Sequence, residues 1–286
     1  MEKKMNSNSV KTRRVIAYIV LVFFAALCLF WFLLLFVNST KTHGEVTNGH
    51  FSILPGSNLV KNFKAAINDS SAPIIKGITN SFIVSALNAL LCTYFSTMTA
   101  FAIHAYNFKG KKAIFVFILA IMMIPTQVTA LGFIKLMESM KLTGHLLPLI
   151  LPAIASPVTF FYMKQYMESG MPLELLEAAR IDGAGELRIF NTIALPLMKP
   201  AIAVQAIFSF VGSWNNYFTP ALILKDAKDK WTLPVIIAFL RSADFKSFDM
   251  GKIYMTITLS ILPVIVVYIF LSKHLVGGLA VGAVKG

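Results

Sequence analysis

The sequence predicts an all-α protein that crosses a membrane with about six helices. Three observations point there. Hydrophobic residues make up 57% of the 286-residue chain and charged residues only 14%, whereas a soluble domain carries about a quarter charged residues. The apolar residues gather into runs long enough to span hydrocarbon. The basic residues behind the net charge of +13 sit between those runs and not on one polar face, a pattern of topology-setting loops and not of a nucleic-acid surface.

The first run, Val15 to Val37, contains no charge. At 1.5 Å per residue it reaches roughly 34 Å, enough for a hydrocarbon core of about 30 Å. Lys3, Lys4, Lys11, Arg13 and Arg14 ahead of it resemble a signal-peptide n-region. A signal h-region is only about 7 to 15 residues long, and no small-x-small cleavage site follows, so a retained helix is expected. Residues 1–14 are then cytoplasmic, 15–37 the first span and 38–80 an extracytoplasmic loop.

Residues 81–271 form a core with five further spans: Ser81–Ile103, Ala113–Phe133, Leu146–Tyr162, Ala201–Leu224 and Ile253–Leu271. An even number of crossings leaves the tail 272–286 in the cytoplasm, with the loops 104–112 and 163–200. The turn at 138–145 and the loop 225–252 face outside. Lys109, Lys111 and Lys112 support this orientation. The last outer loop is itself basic (Lys225, Lys228, Lys230, Arg241, Lys246, Lys252), so the assignment rests on the first-helix flank and the short loop. Pro125, Pro148, Pro152, Pro157, Pro220 and Pro263 fall in or beside the spans and mark kinks, which in lipid need protein neighbours or a watery cavity.

The expected spans contain no Asp, Glu, Lys, Arg or His, which argues against proton coupling by side-chain titration. No GxxxxGK[ST] phosphate loop is present, since Gly110-Lys111-Lys112 lacks the upstream glycine. HExxH and GxSxG are absent as well. His43, His50, His104, His145 and His274 are scattered, and Cys28 and Cys92 lie apart in apolar runs, so no metal site or disulfide is expected. Any ATP that drives this protein must be hydrolysed by another chain; no cofactor is expected here.

The segment 163–200 is the informative one. Pro172 suits a first helical turn, and Leu173–Ile181 reads as a short helix with Glu174 at its positive end. Gly183 and Gly185 permit positive φ, Glu186–Ala194 resumes helical spacing, and Pro196 and Pro200 mark entry to the fifth span. Leu173, Leu176, Glu177 and Arg180 fall on neighbouring faces and form a candidate docking surface, leucines supplying area and charges register. The plainer reading of Glu177 is a surface ion pair with Arg180.

The stretch EAARIDGAGELRIFNTIALP resembles the EAA loop of binding-protein-dependent ABC importer permeases: Glu177, Ala178, Ala179, Gly183, Ile193, Leu195 and Pro196 match it position for position. Ile181-Asp182-Gly183-Ala184, Trp214-Asn215-Asn216-Tyr217 and the terminal Gly282 to Gly286 resemble the carbohydrate branch, in particular maltose-transporter-like second permeases. The resemblance covers chiefly residues 81–286. It implies a bacterial cell-membrane (inner or cytoplasmic) permease that forms half of a sugar or oligosaccharide pore. Its partners would be a second permease, two ATP-binding subunits and an extracellular solute-binding protein. It further implies that Glu177, Ala178, Ala179, Arg180, Asp182 and Gly183 belong to a coupling helix seated in the ATPase, with Glu177 its charged contact, Ala178 and Ala179 allowing close approach, and Gly183 the turn. Val284, Lys285 and Gly286 would reach the ATPase dimer.

Trp214, Asn215, Asn216 and Tyr217 are candidates for the substrate path, where amides and aromatic faces suit sugar; interhelical hydrogen bonding is the alternative. In the outer loop, Trp231, Pro234 and Ile236 to Leu240 are expected to meet the binding protein. Two other functions fit the residues: a stand-alone sodium-coupled carrier, and a membrane scaffold whose hairpin recruits a soluble partner.

Overall fold

The computed structural model describes residues 7–49, 51–242 and 249–283, the side chains of 7–10 and 271–283 excepted. In chain order, α1 is Ser7–Ser39, α2 His43–Thr47, α3 Leu59–Ile67, α4 Ile74–Ala105, α5 Lys111–Met122, α6 Thr126–Ser139 and α7 Leu147–Ile150. A 3₁₀ turn, Leu151–Ile154, leads to α8, Pro157–Gly170, then α9, Leu173–Ile181, and α10, Glu186–Ile189. A π-helical stretch, Phe190–Ala194, precedes α11, Leu195–Leu197, and α12, Lys199–Trp214. The chain closes with α13, Phe218–Leu224, α14, Leu233–Arg241, and α15, Met250–Ala283.

Four segments are long and apolar enough to cross a membrane unbroken: Lys11–Ser39, Ile74–Ala105, Leu147–Gly170 and Met250–Phe270. Two bent pairs raise the number to 6 if each counts as one span. The expected span Ala113–Phe133, with its kink at Pro125, consists of α5 plus α6, which meet at 97°. Pro125, extended at φ −62° and ψ 133°, has no N–H for the ladder and disfavours helix at Ile124. The expected Ala201–Leu224 is likewise broken: α12 stops at Trp214, α13 starts at Phe218, and α12 lies at 80° to Glu186–Leu197. Lys135 and Glu138, outside the expected span, fall on α6.

The helices divide into two compact units. In the first, residues 1–69 with 240–259, α1 buries none of its most apolar window, and Phe23, Trp31 and Phe32 are all more than half exposed. The chain turns after α1 on a buried knot. The Asn62 amide nitrogen donates to the Ser39 and Lys41 carbonyls, both at 2.8 Å. A Cβ on Gly251 would collide with the Lys41 carbonyl oxygen, so only glycine lets α15 start there. Lys252 and Asp69 pair at 2.7 Å with both side chains mostly buried. Thr42 and Glu45 form a capping box, and the Thr42 backbone N–H holds the Glu45 carboxyl below its ordinary range. The loop expected at 38–80 thus contains α2, α3 and the first turns of α4.

The second unit, residues 70–239 with 260–286, is organised around α4, which packs against α8 and α12. Its buried face carries small polar residues, Ser81, Ser85, Thr93, Ser96 and Thr97. Thr93 and Thr97 donate back to the carbonyls of Ala89 and Thr93, at 2.7 and 2.6 Å, which satisfies these two hydroxyls where helices approach closely, while the buried Ser85 hydroxyl has no partner. Asn88 donates to the Leu149 carbonyl at 2.9 Å, and Asn80 to those of Asp229 and Trp231, both at 3.0 Å.

Candidate functional site

Two features of the second unit carry functional geometry: the hairpin around α9 and a cavity beside α4. The hairpin follows α8 directly. His104, the penultimate residue of α4, places its ring Nε2 3.0 Å from the Met171 carbonyl, just ahead of Pro172. α9 ends at Ile181, and two residues on the φ of +77° at Gly183 lets the Ala184 N–H reach the Ala179 carbonyl at 3.0 Å. Gly185 sits at φ −72° and ψ 153°, extended backbone open to any residue, so only Gly183 of the two uses glycine's freedom.

The faces of α9 divide differently from the expected docking surface. Leu176 is fully buried, in one core cluster with Met163, Met167, Ile189 and Phe190, and Ala179 is 8% exposed in that cluster. Both anchor the hairpin to its own chain, so Leu176 supplies no docking area and Ala179 presents no surface for close approach. Glu177, Ala178, Asp182 and Gly183 are exposed. Leu173 at 44%, Ile181 at 87% and Leu187 at 69% are exposed apolar groups beside them. The exposure of Ile181 and Leu187 was not legible in the sequence, because helical spacing cannot say which apolar residues a later helix covers.

Arg180 does not pair with Glu177. Its Nε donates to Glu186 Oε1 at 2.7 Å and a terminal nitrogen to Oε2 at 3.3 Å, while the guanidinium lies 5.4 Å from the Tyr106 ring centroid. The Glu186 hydrogen bond raises the Arg180 pKa further, and burial, then Glu186, raises that of the Tyr106 phenol. Tyr106 follows α4 directly, so the fork closes the hairpin and rests it on the end of a spanning helix. Glu177 makes no ion pair among the described residues.

The cavity, about 410 Å³, lies among α4, α6, the proline-broken segment Leu147–Ile154, α12 and α13. Asn216 lines it, in the break after α12. Trp214 does not: it is 3% exposed and stacks on Phe210 with centroids 5.7 Å apart. Asn215 and Tyr217 are exposed and off the cavity wall. Sequence reasoning missed Ser81 and Asn88 on α4, Thr126 and Thr129 on α6, Ser209 and Ser213 on α12, and Thr232. The signal was there as polar residues spaced three, four or seven apart within apolar helices.

The outer segment is also revised. Trp231 is 7% exposed and its indole N–H donates to the Lys225 carbonyl at 2.8 Å; Ile236 is fully buried, against Gly77. Trp231 and Ile236 thus face the protein's interior, whereas Pro234, Ile237, Ala238 and Phe239 in the same stretch are only partly buried. Val284, Lys285 and Gly286 lie outside the described residues, as does most of 242–248.

A hairpin helix between candidate spans, and a cavity with polar groups in the wall that broken helices build, suit a membrane transport subunit. Residues 93–280 match the family described as binding-protein-dependent transport system inner membrane component, and the chain belongs to that family. The Arabinooligosaccharides transport system permease protein AraQ of Bacillus subtilis (strain 168) is 38% identical over 214 residues, 74% of each chain. The Melibiose/raffinose/stachyose import permease protein MelC of the same organism is 31% identical over 257 residues, 89% of this chain and 91% of its own. The fold is shared with a chain from the crystal structure of a bacterial ABC transporter involved in the import of the acidic polysaccharide alginate. The TM-score is 0.77 at 22% identity, over 95% of this chain and 99% of the other. The chain is therefore a multi-pass permease subunit of an ABC importer, which works with partner subunits. The carrier and scaffold readings find no support in these relationships.

Proposed function

We propose that this chain forms half of the pore of a bacterial sugar or oligosaccharide importer and takes its driving force from ATP hydrolysed on separate chains. In this reading it binds no ATP or other cofactor itself. A second permease completes the pore, two ATP-binding subunits sit beneath it, and an external binding protein delivers the sugar. The relatives named for arabino-oligosaccharide and melibiose, raffinose and stachyose transport support the substrate class. The chain sits in the inner or cytoplasmic membrane with both termini in the cytoplasm, a reading supported by the basic flank of α1 and by Lys109, Lys111 and Lys112.

The observation that carries the coupling role is the split character of α9. One face is locked into the permease by Leu176 and Ala179, while Glu177, Ala178, Ile181 and Asp182 stand free on the other. A helix held rigidly on one side and bare on the other can be pushed by a partner and pass the displacement on, because packed interiors transmit strain. Glu177 is the charged contact, and Gly183 sets the angle of the following segment. Arg180 acts from within by holding Glu186. Val284, Lys285 and Gly286 add a second contact to the ATPase dimer. The test is sugar uptake by the complete transporter carrying Glu177→Lys or Gly183→Pro. Both variants are expected to insert normally yet hydrolyse ATP without accumulating sugar. Wild-type uptake in both would refute the assignment.

A further inference from the structure

The segment that follows α1 carries more bare apolar surface than a loop in water needs. Phe51, Ile53, Leu54, Leu59, Val60 and Phe63 are all exposed, by 41% to 75%. On α3 the exposure is ordered. At about 100° per residue, Leu59, Val60, Phe63 and the half-buried Ile67 fall on one arc. The exposed Lys61 and Lys64 border that arc on one side, the buried Asn62 and Ala66 border it on the other, and the exposed Ala65 lies opposite. Neither lysine makes an ion pair among the described residues. The level of α3 is fixed twice. Asn62 donates to the carbonyl of Ser39, the last residue of α1, and to that of Lys41. Asp69, two residues past α3, pairs at 2.7 Å with Lys252 in the first turn of α15. Lys11–Ser39 and Met250–Phe270 are both candidate spans, so α3 is pinned at the level where two spans end.

From this placement we infer that α3 is an interfacial helix that docks on phospholipid. It lies in the headgroup layer, with Leu59, Val60 and Phe63 against acyl chains and Lys61 and Lys64 against phosphates. The leaflet is the one away from the basic flank of α1, the outer one in the topology proposed above. Two observations select lipid as the occupant. The first is continuity: α1 leaves Phe32, Leu33 and Phe36 about half exposed close to its end, so lipid that surrounds this span already reaches the level of α3. The second is charge. An apolar arc with lysines along its edge is the pattern of a helix at a membrane surface, where the lysine stems lie over apolar area and the ammonium groups reach the phosphates. Apolar area facing water costs free energy in proportion to its extent, and entry into the acyl boundary removes that cost. Because Asn62 ties α3 to the end of α1, and Asp69 ties the residues just after it to the start of α15, the anchor sets the depth of both spans. The inference goes beyond the importer reading and holds whichever solute is carried.

The experiment is electron paramagnetic resonance on the complete transporter in vesicles of phosphatidylcholine and phosphatidylglycerol, without ATP or binding protein. Nitroxide labels are placed on Val60→Cys, Phe63→Cys and Ala65→Cys in turn, and the parent transporter treated with the same reagent supplies the background. Collisions with oxygen, which concentrates in lipid, and with a water-soluble nickel chelate locate each label. The ratio of oxygen to nickel collisions is expected to be at least about threefold higher at Val60 and Phe63 than at Ala65. Lys61→Glu combined with Lys64→Glu should lower the Val60 ratio at least about twofold, because carboxylates then meet the anionic surface. All five positions are exposed, so the substitutions leave the packed face of α3 intact. Equal ratios at the three labels would put the arc in water and overturn the inference. Exclusion of both reagents from Val60 and Phe63 would show that another protein covers the arc, which overturns it as well. An unchanged ratio in the double lysine variant would remove the phosphate contact. No transport is read, so failure of the sugar-importer reading does not move any of these outcomes.

Discussion

Leu176 and Ile181 lie five residues apart on one helix, and truncating each should break a different property. Leu176 is fully buried among Met163, Met167, Ile189 and Phe190. Leu176→Ala removes its transfer free energy and opens a cavity, for a loss of about 2–5 kcal/mol. Ile181 is 87% exposed, so Ile181→Ser should change stability by no more than about 0.5 kcal/mol. The gap is at least about 1.5 kcal/mol, more than a tenfold difference in any folded-to-unfolded ratio. Thermal unfolding of the detergent-purified complex, followed by size-exclusion fluorescence, ranks the two. Uptake and ATPase rates in proteoliposomes measure coupling in parallel. Leu176→Ala should unfold earlier than wild type, whereas Ile181→Ser should unfold normally and lose ATPase-driven uptake. The division of faces is refuted if Leu176→Ala melts like wild type while uptake fails, which would make Leu176 a docking residue after all. Equal destabilisation by both variants would refute it too.

Arg180→Lys keeps the charge but loses the two-pronged grip on Glu186 and the flat cation over Tyr106, a change of about 1 kcal/mol at this half-exposed site. More ATP should be hydrolysed per sugar moved, with binding to the ATPase intact; an unchanged ratio would mean that the fork is ornamental. Gly251→Ala should destabilise the protein by about 1–3 kcal/mol, because its methyl meets the Lys41 carbonyl and the Asn62 amide nitrogen at a backbone crossing. Gly132→Ala on α6 has open space around the new methyl, so it should be neutral or stabilising by up to about 1 kcal/mol in the same melting assay.

Much of the site was legible where chemistry is local. Gly183 and Gly185 together mark a turn in the sequence, and the φ of +77° falls on Gly183. The EAA pattern of Glu177, Ala178, Ala179 and Gly183 is likewise a local feature of the sequence. Arg180 illustrates the opposite case. Spacing offered Glu177 as its partner, three residues back, yet the guanidinium reaches forward across the glycine turn to Glu186. A turn reverses the chain, so the nearest opposite charge in space is set by the turn's geometry and not by helical periodicity.

The apolar runs of Val15–Val37 and Ser81–Ile103 determined on their own that this chain lives in lipid, since a backbone buried in hydrocarbon must satisfy its hydrogen bonds within the helix. Only the tertiary structure decided where the polar groups of the cavity wall converge: Thr232, Asn88 and Asn216 lie far apart in sequence and meet because prolines and a break at 215–217 bend the helices around α4. It also decided that Leu176 faces inward and Ile181 outward. The hydrophobic effect rewards burial of apolar area without direction, so which leucine is covered depends on the shape of the neighbours that arrive, and no window of sequence contains them.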